Sequence, residues 1–237
     1  MIIYRDRATA EIDREANLIE KMLTYIETPQ YLRRLLFKMD PDLQYAGTLP
    51  PLRTPNHPDK QNPSPGLVRE GVVVQSGPSS MIEAGFRSLV GVKSKLPNSK
   101  RVTIRLTRDS SVLEGEIVDP SGLTIYWGFR VARGNVSLSE IVRSRKFDLT
   151  ISTSRKGTDV REITLELIDK WKSSTRPLVV FGSPNDGVPE ILGRSGVSVS
   201  DAMDFNINTI PDQGVETVRT EEALWGSLAV LNVLEEK

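Results

Sequence analysis

Apolar residues recur at Ile12, Ala16, Ile19, Leu23 and Ile26. These steps of four and three place them on one stripe of a helix. With the short apolar run QYLRRLLF that follows, the pattern predicts two helices over residues 8–38, with Thr28 as N-cap and Pro29 at the first position of the second helix. Six prolines then fall between Gly47 and Gly66. They forbid both ladder and helix, so this stretch reads as an extended linker or wrapping loop at a domain boundary. From Glu70 to about Ala132 the period changes to short strands, GVVVQ, MIEAG, RVTIRL, LEGEIVD and LTIYWGFRVA, separated by Gly, Pro, Asn and Ser. Five such strands at close spacing predict a small barrel or sandwich.

After Asp148 strands alternate with helices. FDLTIS predicts a strand, Val160, Ile163, Leu167 and Trp171 a helix, and LVVFG at 178–182 a parallel strand buried on both faces. DFNIN predicts a further strand, and a helix begins near Thr220 as N-cap, with Glu221 and Glu222 in its first turn and Leu224, Leu228 and Leu231 on its apolar face. Parallel α/β sheets bind ligands at the carboxyl ends of their strands. Three loops are therefore candidates: TSRKG at 153–157, GSPNDG at 182–187 and NTIPDQG at 208–214.

The chain has 237 residues, 38% of them hydrophobic, enough for a substantial core. Cysteine is absent, which removes disulfides, thiolate metal sites and cysteine nucleophiles, and His57 is the single histidine, too few for a histidine-built zinc site. No metal is expected. No apolar run approaches a membrane span and MIIYRDRATAEIDRE carries no signal-peptide core, so the expectation is a soluble, cytoplasmic protein without membrane association.

Lys plus Arg and Asp plus Glu both number 31, yet the charges are segregated. Residues 84–108 hold Arg87, Lys93, Lys95, Lys100, Arg101, Arg105 and Arg108 without one acid, whereas residues 201–237 hold eight acids and two bases. Such a basic window fits phosphate, although a lopsided solvated face has the same composition. None of the three loops is a P-loop or a G-x-G-x-x-G fingerprint. GSPNDG suits a purine or ribose packed on main chain, or simply a turn leaving a strand. Asn208 could cap a turn, and Arg219 could pair with Glu216 or Glu222.

LVVFGSPNDGVPEI followed by DFNINTIPDQGVETVRTEEALWGSLAVLN resembles the C-terminal half of the SPOUT, or α/β-knot, RNA methyltransferases, in their archaeal and eukaryotic branch. YLRRLLFKMDPDLQYAGTLPPLRTPNHP, REGVVV, IYWGFRV and FDLTISTSRKGTDV resemble the same branch, so the likeness covers nearly the whole chain. It implies a trefoil-knotted parallel α/β domain from residues 1–69 and 133–237, an inserted OB-like RNA-binding barrel at 70–132, and a homodimer. The branch carries a further β-α unit ahead of the segment matching MIIYRD, which this sequence does not contain.

The resemblance implies S-adenosylmethionine as methyl donor, held by Ser154, Lys156, Gly157, Gly182, Gly187, Asn208, Thr209 and Gly214, and RNA (rRNA or tRNA) as substrate on the basic window. Methyl transfer needs no metal or thiol, only alignment. At a base nitrogen such as uridine N3 a cation could stabilise the developing anion. Arg219 is the catalytic candidate, while His57 could touch RNA or remain a solvated loop residue. Tyr126, Trp127 and Phe129 could stack bases. Two other classes remain open, a non-catalytic RNA-binding or ribosome-assembly protein and an enzyme for another adenosine-type ligand. The last helix, with Trp225 near its start, offers an apolar face for a second copy.

Overall fold

A computed structural model describes residues 1–5, 9–59, 62–109 and 112–234. The expected helical start at Ala8 lies outside them. By its contacts the chain forms two compact units, residues 1–3 with 10–133 and residues 4–9 with 134–237. Strand β1 (Ile2–Arg5) pairs with β7 (Ala132–Ser137).

In the first unit α1 (Ala10–Glu27) and α2 (Gln30–Leu36) precede the proline-rich segment. Thr28 does not cap α2 as expected. Its hydroxyl turns back to donate to the Thr24 carbonyl at 2.8 Å, closing α1, and Pro29 takes the N-cap position with no side-chain cap. Five strands then close into a barrel: β2 (Val68–Gln75), β3 (Ser80–Glu83), β4 (Val90–Val92), β5 (Arg101–Asp109) and β6 (Leu113–Ile117), in the order β2-β3-β4-β6-β5. All pairs are antiparallel except β4 with β6. Inward residues Val73, Ile82, Val90, Ile104 and Leu106 are at most 1% exposed and form its core.

The fifth strand expected from LTIYWGFRVA is not formed; residues 123–131 are irregular. The barrel is closed by pairing β6 to both β4 and β5, so no free edge remains to accept another strand. Gly128, at φ +87°, also turns the chain out of the extended region. The place in the barrel is taken by β4, only three residues long and too short to show a period.

In the second unit α3 (Leu138–Arg143), held by a Ser137–Glu140 capping box, precedes β8 (Leu149–Asp159), α4 (Thr164–Ser173), β9 (Pro177–Val180), α5 (Val188–Gly193), α6 (Val199–Ala202), β10 (Phe205–Asn208) and α7 (Thr220–Leu234). The sheet is parallel, in the order β10-β8-β9. On β9, Val179 packs with Ile151, Leu167 and Leu231, while Leu178 and Val180 pack with Leu138, Val188 and Leu192. Successive side chains thus enter separate apolar clusters, which makes this strand buried on both faces. Thr220 is the first helical residue of α7 and not its N-cap. The Arg219 N–H at that junction donates to the Glu222 carboxylate at 3.2 Å.

Candidate functional site

The three loops singled out in the sequence come together in the second unit, around a cavity of about 330 Å³ at the carboxyl ends of β9 and β10 and beside residues 153–156 of β8. Each wall departs from regular structure for a local reason. Asn206 pairs with Ser152, but Ile207 pairs with Thr158. Residues 153–157 are therefore looped out of register, and what the sequence presented as a connection is a bulge within β8. Gly157 makes the bulge possible, since a Cβ there would lie 2.6 Å from the carbonyl carbon of Ile207.

The second wall follows β9. The Ser183 N–H donates to the Asp186 carbonyl at 2.9 Å, and the Asp186 N–H to the Ser183 hydroxyl at 3.1 Å. A Cβ at Gly182 would approach the Asp186 carbonyl oxygen to 2.7 Å, so the tight turn needs glycine. Tyr4 braces the turn, its hydroxyl donating to the Phe181 carbonyl at 2.8 Å.

The third wall runs from β10 to α7. The Asn208 side chain accepts from the Ile210 N–H at 3.0 Å and donates to the Arg155 carbonyl at 3.2 Å, tying this loop to the bulge. The Arg155 guanidinium donates to the Glu216 carbonyl, and the Gln213 amide to the Val215 and Glu216 carbonyls. Thr209 and Ser227 share a buried hydroxyl–hydroxyl hydrogen bond of 2.5 Å that anchors the loop to α7.

Of the eight expected donor-site residues, Ser154, Lys156, Gly182, Gly187, Asn208 and Thr209 line this cavity. Gly157 sits behind it, against β10, and Gly214 is outside the lining. Arg219 is also outside it, between the lining residues Val218 and Thr220. Arg155, Glu190, Gln213 and Ser227 line the cavity without having been expected. Arg155 could have been read from its place between Ser154 and Lys156; Ser227, on a helix 18 residues beyond Thr209, carried no local signal. Acids meet bases here, with Lys156 Nζ 3.7 Å from Glu190 and the Asp186 carboxylate 2.6 Å from Arg194.

The basic window belongs to the first unit. Arg101 is engaged by Glu27 and Glu70, Arg105 faces Glu116 at 3.3 Å, and Arg108 faces Glu114 at 3.7 Å. Arg87, Lys93, Lys95 and Lys100 are exposed. His57 is half-buried, its Nε2–H donating to the Glu27 carbonyl at 2.6 Å, and burial holds its pKa below the ordinary histidine value. Tyr126 is exposed and Trp127 and Phe129 are partly buried. No helix among the described residues is long and apolar enough to cross a membrane.

Comparison with known proteins agrees over nearly the whole chain. Residues 2–231 match the family described as "Putative RNA methyltransferase". The chain is 35% identical over 232 residues to a mouse protein named 28S rRNA (uridine-N(3))-methyltransferase, and 34% identical over 232 residues to the human protein of that name. Each alignment covers 90% of this chain but only 58% and 59% of those relatives, so the chain spans under two thirds of their length. An uncharacterized protein of Halobacterium salinarum is 31% identical over 234 residues, with 92% of this chain and 80% of that protein covered. The chain belongs to this RNA methyltransferase family.

Proposed function

We propose that the chain is an S-adenosylmethionine-dependent RNA methyltransferase of the SPOUT, trefoil-knotted kind, acting on a base nitrogen of RNA, with uridine N3 of rRNA as the leading target. The observation that carries the reading is the convergence of the three separate loops on one cavity at the strand ends. The relatives' printed activity supports the choice of uridine N3. The donor would lie on the Gly182–Gly187 turn and the Asn208–Thr209 segment, where main chain approaches closely, with Ser154 and Lys156 of the bulge beside it and Gly157 and Gly214 shaping the two loops behind. Glu190 and Glu216 bring carboxylates suited to a cationic ligand. Bound there, the donor supplies an electrophilic methyl group on a sulfonium.

The chain's own task is alignment and charge stabilisation. Uridine N3 gives up its proton to solvent water before it attacks, the negative charge is delocalised over the flanking carbonyls until methyl transfer neutralises it and leaves the donor as a thioether, and Arg219 is the proposed cation for that charge. Lys156 is mostly exposed and is a second cation at the cavity. RNA would be gripped by Arg87, Lys93, Lys95 and Lys100 on the barrel. Arg105 and Arg108 would join them if their carboxylate partners yield. The barrel's strand order and single parallel pair support an OB-like reading of this insert. A homodimer completes the proposal. On α7 Trp225 is 79% and Val233 77% exposed while Leu231 is buried, an apolar face suited to a second copy.

Calorimetry with S-adenosylmethionine and S-adenosylhomocysteine, together with methyl transfer to an rRNA fragment, tests the reading. Micromolar donor binding, lost in Gly182→Val and Asn208→Ala, is expected. Folded protein that binds RNA but neither donor nor product would be a non-catalytic RNA-binding protein.

A further inference from the structure

We infer that a second cavity, in the barrel-bearing unit, receives unpaired nucleotides of an RNA strand, base first. The inference rests on the RNA-methyltransferase reading only for the source of the strand. The cavity has a volume of about 650 Å³ and lies against β2, β5 and the end of β6. OB-folds usually hold oligonucleotides on their second and third strands, which here are β3 and β4, so this is a different face.

Its floor is a closed polar network. Arg101 donates from Nε to Glu70 at 2.8 Å and from Nη1 and Nη2 to Glu27 at 2.5 and 2.9 Å. Glu70 also accepts from the Thr103 hydroxyl and the Trp127 indole N–H, both at 2.6 Å. With two carboxylates against one guanidinium, the floor is negative. It repels a phosphate but tolerates a neutral planar group.

The wall supplies that group's partner. Trp127 and Phe129 both line the cavity. Trp127 is fixed by its hydrogen bond to Glu70, and the backbone between the two rings packs closely at Gly128, where a Cβ would lie 2.6 Å from the Asn56 amide nitrogen. Aromatic faces held in advance favour base stacking without a further ordering cost.

The rim has the opposite sign from the floor. Lys100 and Arg130 line the cavity, are exposed, and have no carboxylate within ion-pair distance among the described residues. Lys93 and Lys95 lie on the same β4–β5 connection as Lys100. Positive charge thus continues away from the cavity, as a strand of phosphates requires and a single nucleotide does not. Neutral aromatic interior, negative floor and cationic approach together select a base-in, phosphate-out ligand.

The test measures fluorescence anisotropy of the full chain with a labelled twelve-nucleotide oligouridylate, the same oligomer with abasic sugars, and a glutamate dodecapeptide. Phe129→Ala should weaken oligouridylate binding about ten-fold and leave abasic binding unchanged. Lys100→Ala and Arg130→Ala should each weaken both RNAs and lower the slope of log affinity against log salt by about 0.7. Thermal melts verify that each variant folds. Unchanged oligouridylate affinity in Phe129→Ala, an equal loss on the abasic strand, or equal binding of the peptide overturns the inference. If the wild type still binds donor and methylates an rRNA fragment in that event, the methyltransferase reading stands and only the cavity assignment fails. A wild type that neither binds nor methylates RNA overturns both.

Discussion

Replacing Arg101 with methionine distinguishes an RNA contact from a structural ion. Arg101 is flanked by the Glu27 and Glu70 side chains, 10% and 7% exposed, and makes three hydrogen bonds to their oxygens. Methionine keeps much of the stem's packing but removes every one of those donors. Among the described residues Glu27 retains only the Asn56 amide at 3.1 Å, and Glu70 retains Thr103 and Trp127. Breaking a buried ion pair from one side costs about 3–5 kcal/mol, because the remaining charge is left uncompensated. Burial already holds the Glu27 carboxyl above its ordinary pKa, so proton uptake softens the loss and the expected value is near the low end, about 3 kcal/mol at neutral pH. In urea, with m of about 1–3 kcal/mol per M, the barrel-bearing unit should unfold about 1–3 M earlier. Circular dichroism with tryptophan fluorescence follows the transition. The triple variant Arg101→Met, Glu27→Gln, Glu70→Gln should recover most of the loss, since no unpaired charge remains. Wild-type stability in Arg101→Met together with a ten-fold loss of RNA affinity would refute the argument and return Arg101 to the RNA surface.

Gly157→Ala should displace the β8 bulge, since its Cβ would meet the Asn206 and Ile207 backbone at 2.6–2.8 Å; calorimetry should read at least a ten-fold weaker donor affinity and melting a loss of about 1–3 kcal/mol. Ser227→Ala leaves the buried Thr209 hydroxyl without its partner, and denaturation should show a cost of about 1–3 kcal/mol. His57 has a folded pKa below its ordinary 6.5, so the unfolded chain takes up its proton first. The stability it contributes is present above pH 6.5 and is lost as pH falls from there toward the folded pKa. His57→Gln should therefore flatten stability against pH as pH falls below about 6.5, and an unchanged slope would sink that assignment. Trp225→Glu should shift sedimentation from twice 26.4 kDa to the monomer mass; a wild-type monomer that still methylates RNA would exclude a shared active site.

What the sequence made legible follows from the range of the interaction that fixes each element. Helix α1, the helix α4 expected from Val160, Ile163, Leu167 and Trp171, and the strands of the parallel sheet are written in side-chain periods of a few residues, although Val160 and Ile163 fall in the turn just ahead of α4 and pack into the apolar cluster of Leu167. The loops that line the first cavity were legible because sharp turns at strand ends require glycine and asparagine, which stand out against apolar strands. The bulge at 153–157 was visible as an interruption but not as a bulge, because its register is set by Asn206 and Ile207, some 50 residues later. LTIYWGFRVA misled for a related reason. Its aromatic and β-branched content meets the propensity for strand, but whether a strand forms depends on an open edge, and barrel closure removed it.

The polar network beneath the second cavity lies at the far end of that scale. Glu27 ends a helix, Asn56 sits among prolines, Glu70 and Arg101 belong to two barrel strands and Trp127 to an irregular segment, with 29 to 74 residues between bonded partners. Read locally, Glu70 and Arg101 are ordinary surface charges, and Arg101 falls naturally into a basic window. Their roles change only when the barrel brings β2 beside β5, setting Gly71 opposite Val102 and Val72 opposite Arg101. A buried charge needs a partner to be tolerated, so each member of the network constrains the others, and the proline-rich stretch cannot be a free linker. Asn56 is fully buried, with its amide on Glu27, and His57 is bonded to the end of α1. Up to Asp59 the segment is tied down within the barrel-bearing unit, as a wrapping loop is. Its prolines lower the entropy lost on ordering, so extended chain without ladder bonds can be held by a few buried hydrogen bonds. Mutating Asn56 to Ala should accordingly release the segment, and limited proteolysis should cut between Gly47 and Gly66 in that variant before it cuts the wild type; equal cleavage rates would show that the prolines alone hold it.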